Sequence, residues 1–308
     1  RRKFFGTLYN TYSFFALYAN VDGFTGREPQ IPVAERPEID RWIISLLNTL
    51  VQEVGERLEE FDPTPAARLI QDFVGENLSN WYVRLNRKRF WGGGMTNDKL
   101  AAYQTLYTCL ETVAQLMAPF APFMADRLFG DLNAVSEKHH GSVHLCAFPA
   151  ADTALIDKEL EDMMSIAQRV SSMVLALRRK VNIKVRQPLT KILIPVLDER
   201  TGSHIEKVRT LIMNEVNVKE VELITDTTGL ITKRIKPNFK TLGPRYGKQM
   251  KQIAALVASF SQEQIAAIEA SDSYLLDIDG QQLAVTREDF EITSEDMPGW
   301  LVASEGKL

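Results

Sequence analysis

Asn77–Gly94 reads NLSNWYVRLNRKRFWGGG, and within it Trp81–Trp91 sets four basic residues among aromatic and aliphatic ones without a single acid. On a helix advancing about 100° per residue, Asn80, Arg84, Arg87 and Trp91 share a stripe roughly 60° wide, with Lys88 at its margin. Leu78, Trp81, Tyr82 and Leu85 fall on the adjacent face, so one side is apolar and the other rich in hydrogen-bond donors. Arg89 falls nearly opposite the stripe, where pairing with a buried acid and contact with a ligand both remain open. Gly92, Gly93 and Gly94 end the helix, because three glycines are costly in a helix interior. They follow a helix rather than a strand, which argues against a dinucleotide-binding loop.

Helical patterning extends outward on both sides. Upstream, FFGTLYNTYSFFALYANV (Phe4–Val21) is an aromatic-rich helix closed by Asp22-Gly23, and a loop with Pro29, Pro32 and Pro37 follows. Glu38–Glu60 spaces Ile39, Trp42, Ile43, Leu46, Leu47, Leu50 and Val54 by three and four residues, as an amphipathic helix with one buried stripe requires. Asp62-Pro63 breaks the chain, and Pro65 opens the helix that carries the basic stretch. Downstream, NDKLAAYQTLYTCLETVAQLMAPF predicts a helix capped by Asn97 or Asp98 and stopped at Pro119. APFMADRLFGDL is a short helix, SEKHHGSVHLCAFPA a loop, and DKELEDMMSIAQRVSSMVLALRRK a further long helix. Short polar connections between such helices make a bundle.

After Lys180 the period changes. KILIPVL, KEVELI, GLITKRI, YLLDI, QQLAV and FEITS are strand candidates, with helices expected at HIEKVRTLIMNEV and KQMKQIAALVASF. The expected fold class is therefore mainly α, a helical bundle over residues 1–185 followed by a small α+β domain over 186–308.

The composition is that of a globular protein, 45% hydrophobic and 25% charged, with no apolar run long enough for a membrane span. Two cysteines, Cys109 and Cys146, and no signal-peptide pattern fit the cytoplasm, and two are too few for a four-cysteine zinc site. The chain opens RRKFFG without methionine, as expected of a piece of a longer polypeptide.

A net charge of −4 gives no bulk attraction to nucleic acid, but the cations are clustered. Beside Arg84–Arg89 there are Arg178–Arg186 (RRKVNIKVR) and Lys233–Lys251 (KRIKPNFKTLGPRYGKQMK), the last loop-like with Pro237, Gly243, Pro244 and Gly247. A helix C-terminus complemented by cations accounts for the second cluster as readily as a phosphate contact does. Catalytic motifs are missing: there is no GxSxG, Walker loop or HExxH. His139, His140, His144, Cys146 and Glu137 lie together without regular ligand spacing and read as a solvated loop. His204 reads as part of a helix start. The stripe is different, since guanidinium groups bind phosphates bidentately and a neighbouring ring offers a platform for an unpaired base.

NLSNWYVRLNRKRFW, with LMAPFAPFMAD and GSVHLCAFP, resembles the anticodon-binding bundle of the class I aminoacyl-tRNA synthetases for branched aliphatic amino acids. KVNIKVRQPLTKILIPV, NEVNVKEVELI and KPNFKTLGPRYGK resemble the isoleucyl-tRNA synthetases, in their eukaryote-like form. The bundle alone leaves the valyl enzymes open, but those are expected to end in a coiled coil. The resemblance implies a parent that joins isoleucine to its tRNA with ATP and Mg, using HIGH and KMSKS signatures found nowhere in this sequence. It implies a C-terminal, non-catalytic portion with the catalytic and editing domains lying upstream and tRNA for isoleucine as partner; a monomer is expected, with no cofactor of its own and, with only Cys109 and Cys146, no zinc. Asn80, Arg84, Arg87, Lys88 and Trp91 are the first candidates for tRNA contact. Arg178, Arg179, Lys180, Lys184 and Arg186 are the second set, and Lys236, Asn238, Lys240, Arg245 and Lys248, in the junction domain, the third. The alternative is a helical protein-interaction module whose aromatic stripe meets a partner helix.

Overall fold

The computed structural model describes residues 2–136, 141–196, 198–225, 232–271, 273–278, 281–295 and 301–303. It divides into two compact units, Arg1–Met164 and Ser165–Leu308. The division lies upstream of the expected boundary at residue 185. Periodicity marks where helix gives way to strand, whereas compactness follows which side chains pack together.

The first unit is built from α1 (Arg2–Asp22), α2 (Glu38–Glu59), α3 (Pro63–Asp72), α4 (Arg84–Phe90), α5 (Asn97–Met117), α6 (Pro122–Asn133) and the start of α7 (Lys158–Lys180). α3 runs into α4 through a π-helical stretch, Phe73–Val83. Closure to the fifth residue widens each turn there. Its buried residues Phe73, Val74, Leu78, Tyr82 and Val83 accordingly recur at four- and five-residue steps, with Trp81 buried beside them. The 100° phase therefore fails over this stretch, although Leu78, Trp81 and Tyr82 do point inward. At α5 the cap is Thr96, whose hydroxyl accepts from the Lys99 N–H at 3.2 Å, rather than Asn97 or Asp98.

Rings fill the centre of this unit. Phe90 meets Phe14 at 5.2 Å and Tyr103 at 5.0 Å between centroids, and Phe24 stacks on Tyr103 at 5.1 Å. Tyr103 donates to the Asp22 carboxylate, which also pairs with the buried Lys99 ammonium at 2.5 Å. Burial alone would raise the Asp22 pKa, but Lys99 and Tyr103 outweigh it and hold the carboxyl below its usual value. A depressed folded-state pKa gives stability that is present above the unfolded-state value and lost as pH falls through the folded one. Asp22→Asn should therefore flatten the acid limb of a stability–pH curve. An unchanged acid limb below pH ~4 would contradict this arrangement. α7 is tied to α2 by Glu161, which accepts from Ser45 at 2.5 Å and Thr49 at 2.8 Å.

In the second unit β1 (Leu189–Pro195) and β2 (Val218–Ile224) pair in parallel, Leu189 opposite Val218, with α8 (Glu199–Val216) as the crossover that parallel strands need. β3 (Thr232–Pro237) pairs antiparallel with β6 (Phe290–Glu295), and β4 (Tyr274–Ile278) with β5 (Gln281–Val285). α9 (Phe239–Tyr246), α10 (Met250–Ala258) and α11 (Gln262–Ala270) lie between β3 and β4 in sequence. Leu242, Ile253, Val257, Ile265, Ile268, Leu276, Leu283 and Val285 form one core.

Two expectations are corrected in this unit. The Lys233–Lys251 stretch is not a loop: Asn238 caps α9 by accepting from the Lys240 N–H, and fully buried Leu242 anchors it despite Pro244. α11 was not anticipated, although Ser261 and Gln264 form a reciprocal capping box at its start.

Candidate nucleic-acid interface

The elements around α4 fix which of its cations face water. Phe90 is fully buried at the end of the helix, and Asn86 and Tyr82 are buried one and two turns before it. Asn86 donates to the Tyr82 carbonyl at 2.7 Å. Asp40, fully buried on α2, accepts from Tyr82 Oη at 2.7 Å and takes both terminal nitrogens of Arg89, at 2.7 and 2.9 Å. Arg89 also donates to the Asn86 amide oxygen at 3.0 Å and the Asp98 carbonyl at 2.7 Å. Burial opposes its charge, but hydrogen bonding and attraction to Asp40 win, so its pKa rises. Burial first, then Asp40, keeps the Tyr82 phenol protonated far above its usual range. Of the two readings open for Arg89, the structure selects the pairing with a buried acid.

With Arg89 turned inward, Arg84, Arg87 and Lys88 are all exposed, as is Asn80. Arg84 Nε donates to the Asn80 carbonyl at 2.6 Å, which holds its guanidinium along the helix, and Asn80 Nδ2 reaches Glu76 at 3.3 Å. Trp91 is not on the helix. It is the residue at which α4 ends, in extended conformation (φ −89°, ψ 102°), and its side chain is 52% exposed. Gly92 and Gly93 follow at φ 76° and 73°, left-handed values that a residue with a Cβ rarely adopts. Lys99 Nζ donates to the Gly92 carbonyl at 3.3 Å, securing the loop that presents the indole. Three cations and one exposed ring thus lie within eight residues, beside an interior held by a buried ion pair.

The other clusters are divided. Arg178 is 2% exposed, and its terminal nitrogens donate to the carbonyls of Lys184, Gln187, Val216 and Asn217 at 2.8–3.2 Å. This corrects its place among the contact candidates, because the guanidinium is spent on backbone. Arg179, Lys180, Lys184 and Arg186 are exposed around the turn that Arg178 organises. Arg245 pairs with buried Asp289 at 2.9 Å, donates to the Ala284 carbonyl and lies over the Tyr246 ring. It is a clamp between α9 and β5, and Asn238 is a helix cap whose amide also reaches the Glu288 carbonyl. Lys236 and Lys240 are exposed, while the Lys248 side chain lies outside the described residues.

The sequence reading missed Asp40. Its signal was an acid in the first turn of α2 next to the apolar stripe, which ordinarily means a solvated helix start. The histidine group is described only in part: His139, His140 and Glu137 lie outside the described residues, while His144 is exposed and Cys146 half-buried. His204 is buried inside α8. Among the described residues no three His, Cys, Asp or Glu side chains converge as a metal site would require.

Residues 40–194, from Asp40 into β1, match the family model of the anticodon-binding domain of tRNA ligase. The chain belongs to that family. Over its whole length it is 63% identical to an isoleucine–tRNA ligase of Bacteroides fragilis, 58% to one of Porphyromonas gingivalis and 38% to one of Clostridium tetani. It spans only 27–29% of the length of these curated relatives. The anticodon-binding match contains the stripe, its Asp40–Arg89 support and the Arg178 turn.

Proposed function

We propose that the chain is the tRNA-recognising portion of an isoleucine–tRNA ligase, active on tRNA only by binding. The polypeptide beyond it would bring the ATP- and Mg-dependent joining of isoleucine to its tRNA, and the editing site. In this reading the chain alone does not aminoacylate, works in the cytoplasm as a monomer, and holds no zinc, its Cys109 being part of the bundle core. The observation that carries the reading is the outward-facing Arg84, Arg87 and Lys88 with Trp91 beside them. The cations supply phosphate affinity that salt screens, and the indole supplies a stacking surface for an unstacked base. In the second unit, Arg179, Lys180, Lys184, Arg186, Lys236 and Lys240 are further candidates for contact with the same tRNA.

The test is titration of isoleucine tRNA against the chain over a salt series, by fluorescence anisotropy. Arg84→Ala and Arg87→Ala should each lower the slope of log affinity against log salt by roughly one. Trp91→Ala should weaken binding by about 1–3 kcal/mol with no change of slope. If binding is salt-insensitive, or indifferent to all three substitutions, the stripe is not the contact surface and the protein-interaction reading takes its place.

A further inference from the structure

α1 has no charged side chain from Phe4 to Val21. Its inner face is buried at Leu8, Thr11, Phe15 and Ala19. Facing the other way, Phe5 is 36% exposed, Tyr9 59%, Leu17 59% and Val21 75%. These four lie within an arc of about 160°. Between Phe4 and Val21 the rest of that arc is Gly6, Asn10, Ser13, Ala16 and Asn20, all small or neutral, and the cations that share its phase, Arg2 and Lys3, are confined to the first turn. α2 treats its outer positions differently, exposing Glu53, Glu56, Arg57 and Glu59. A helix apolar on both sides is one that is covered on both sides.

The chemistry of the face narrows what covers it. No helix among the described residues is long and apolar enough to cross a membrane. From Phe4 to Val21 the face has no cation to offer phosphate and no acid to select a basic partner; Arg2 and Lys3 lie only at its N-terminal edge. What it fits is a neutral, apolar protein surface. The curated relatives extend well beyond the 27% that this chain spans. A tethered surface needs little affinity of its own, because linkage makes its local concentration high.

We propose that the outward face of α1 is an interdomain interface, covered in a full-length isoleucine–tRNA ligase by polypeptide outside residues 1–308. This rests on the reading of the chain as part of such a ligase. It does not depend on the tRNA contacts assigned to α4.

Thiol labelling tests it. Leu17→Cys, with Val21→Cys as a second position, is placed in a Cys146→Ser background of both the 308-residue chain and the full-length ligase. Glu56→Cys on α2 is the exposed reference, and Cys109 the buried one. With maleimide, the Leu17→Cys thiol should react as fast as the reference in the chain, and at least about tenfold more slowly in the full-length ligase, where labelling requires local opening. Equal rates in the two proteins overturn the proposal. Slow labelling already in the chain also overturns it, pointing to a second copy if the rate depends on protein concentration and to another part of this chain if it does not. Protection that appears only on adding tRNA overturns it in favour of RNA. If Leu17→Cys is protected in the ligase while the salt titration shows no tRNA binding by the chain, the interface stands and the recognition reading falls.

Discussion

Asp40→Ala is expected to destabilise the bundle by about 3–5 kcal/mol, because removing one partner of a buried ion pair leaves the other charge uncompensated. The carboxylate is fully buried and the Arg89 side chain only 14% exposed, so water cannot replace what is lost. The same deletion strands the Tyr82 hydroxyl, which is also fully buried. Asp40→Asn retains the shape and one acceptor oxygen, and should fall between the wild type and the alanine variant. Urea denaturation followed by tryptophan fluorescence, which reports the first unit through Trp42, Trp81 and Trp91, measures the loss as a lowered midpoint of that unit at unchanged slope. A loss below about 1 kcal/mol for Asp40→Ala would mean that the pair is solvent-accessible and does not orient α4. Asp40 is thus a positioning residue for the cationic stripe. In conditions where Asp40→Asn remains folded, its tRNA salt slope should equal that of the wild type, since no phosphate contact has been removed.

The fold was legible where one period dominates a long stretch. α1, α2, α5 and α7 follow directly from apolar spacing, and the strands β1, β2, β4, β5 and β6 from short β-branched or alternating runs. Legibility failed where a local rule was displaced. The π stretch Phe73–Val83 has a wider turn than any helical wheel assumes, so the phase of Asn80 relative to Arg84 was right in outcome but not in geometry. Pro244, Gly243 and Gly247 spoke for a loop, yet burial of Leu242 and the Asn238 cap make α9 a helix. For the site, the rule that separated Arg89 from its neighbours was helical phase. Phase could say that Arg89 faces away from the stripe, but only the fold supplies the acid, 49 residues earlier, that it meets. Arg178 and Arg245 show the limit of reading charge from sequence. Each stands in a run of exposed cations, and each is consumed by carbonyl groups or a buried carboxylate that the sequence gives no means of placing beside it.

Arg178→Ala should destabilise the second unit by about 2–4 kcal/mol, the net of two opposing effects. The substitution relieves a buried cation whose pKa burial drives down. It also strips the donors from four carbonyls, two of them, Val216 and Asn217, at the C-terminal end of α8, where the helix dipole presents partial negative charge. Relief of the cation is limited, because the dipole and the carbonyls already offset much of its desolvation. The orphaned acceptors, at about 1–3 kcal/mol for each one that water cannot reach, therefore decide the sign. Arg178→Lys keeps the charge but loses the fork, so one ammonium cannot serve the Gln187 and Asn217 carbonyls together, and recovery should be less than half. Because the chain has two units, a single global midpoint is a poor measure, and hydrogen exchange at the β2 amides reports the second unit directly. Faster exchange in Arg178→Ala with an unchanged tRNA salt slope is the expected pair of results. If exchange is unaffected while the slope falls by about one, Arg178 binds phosphate and the buried clamp is wrong.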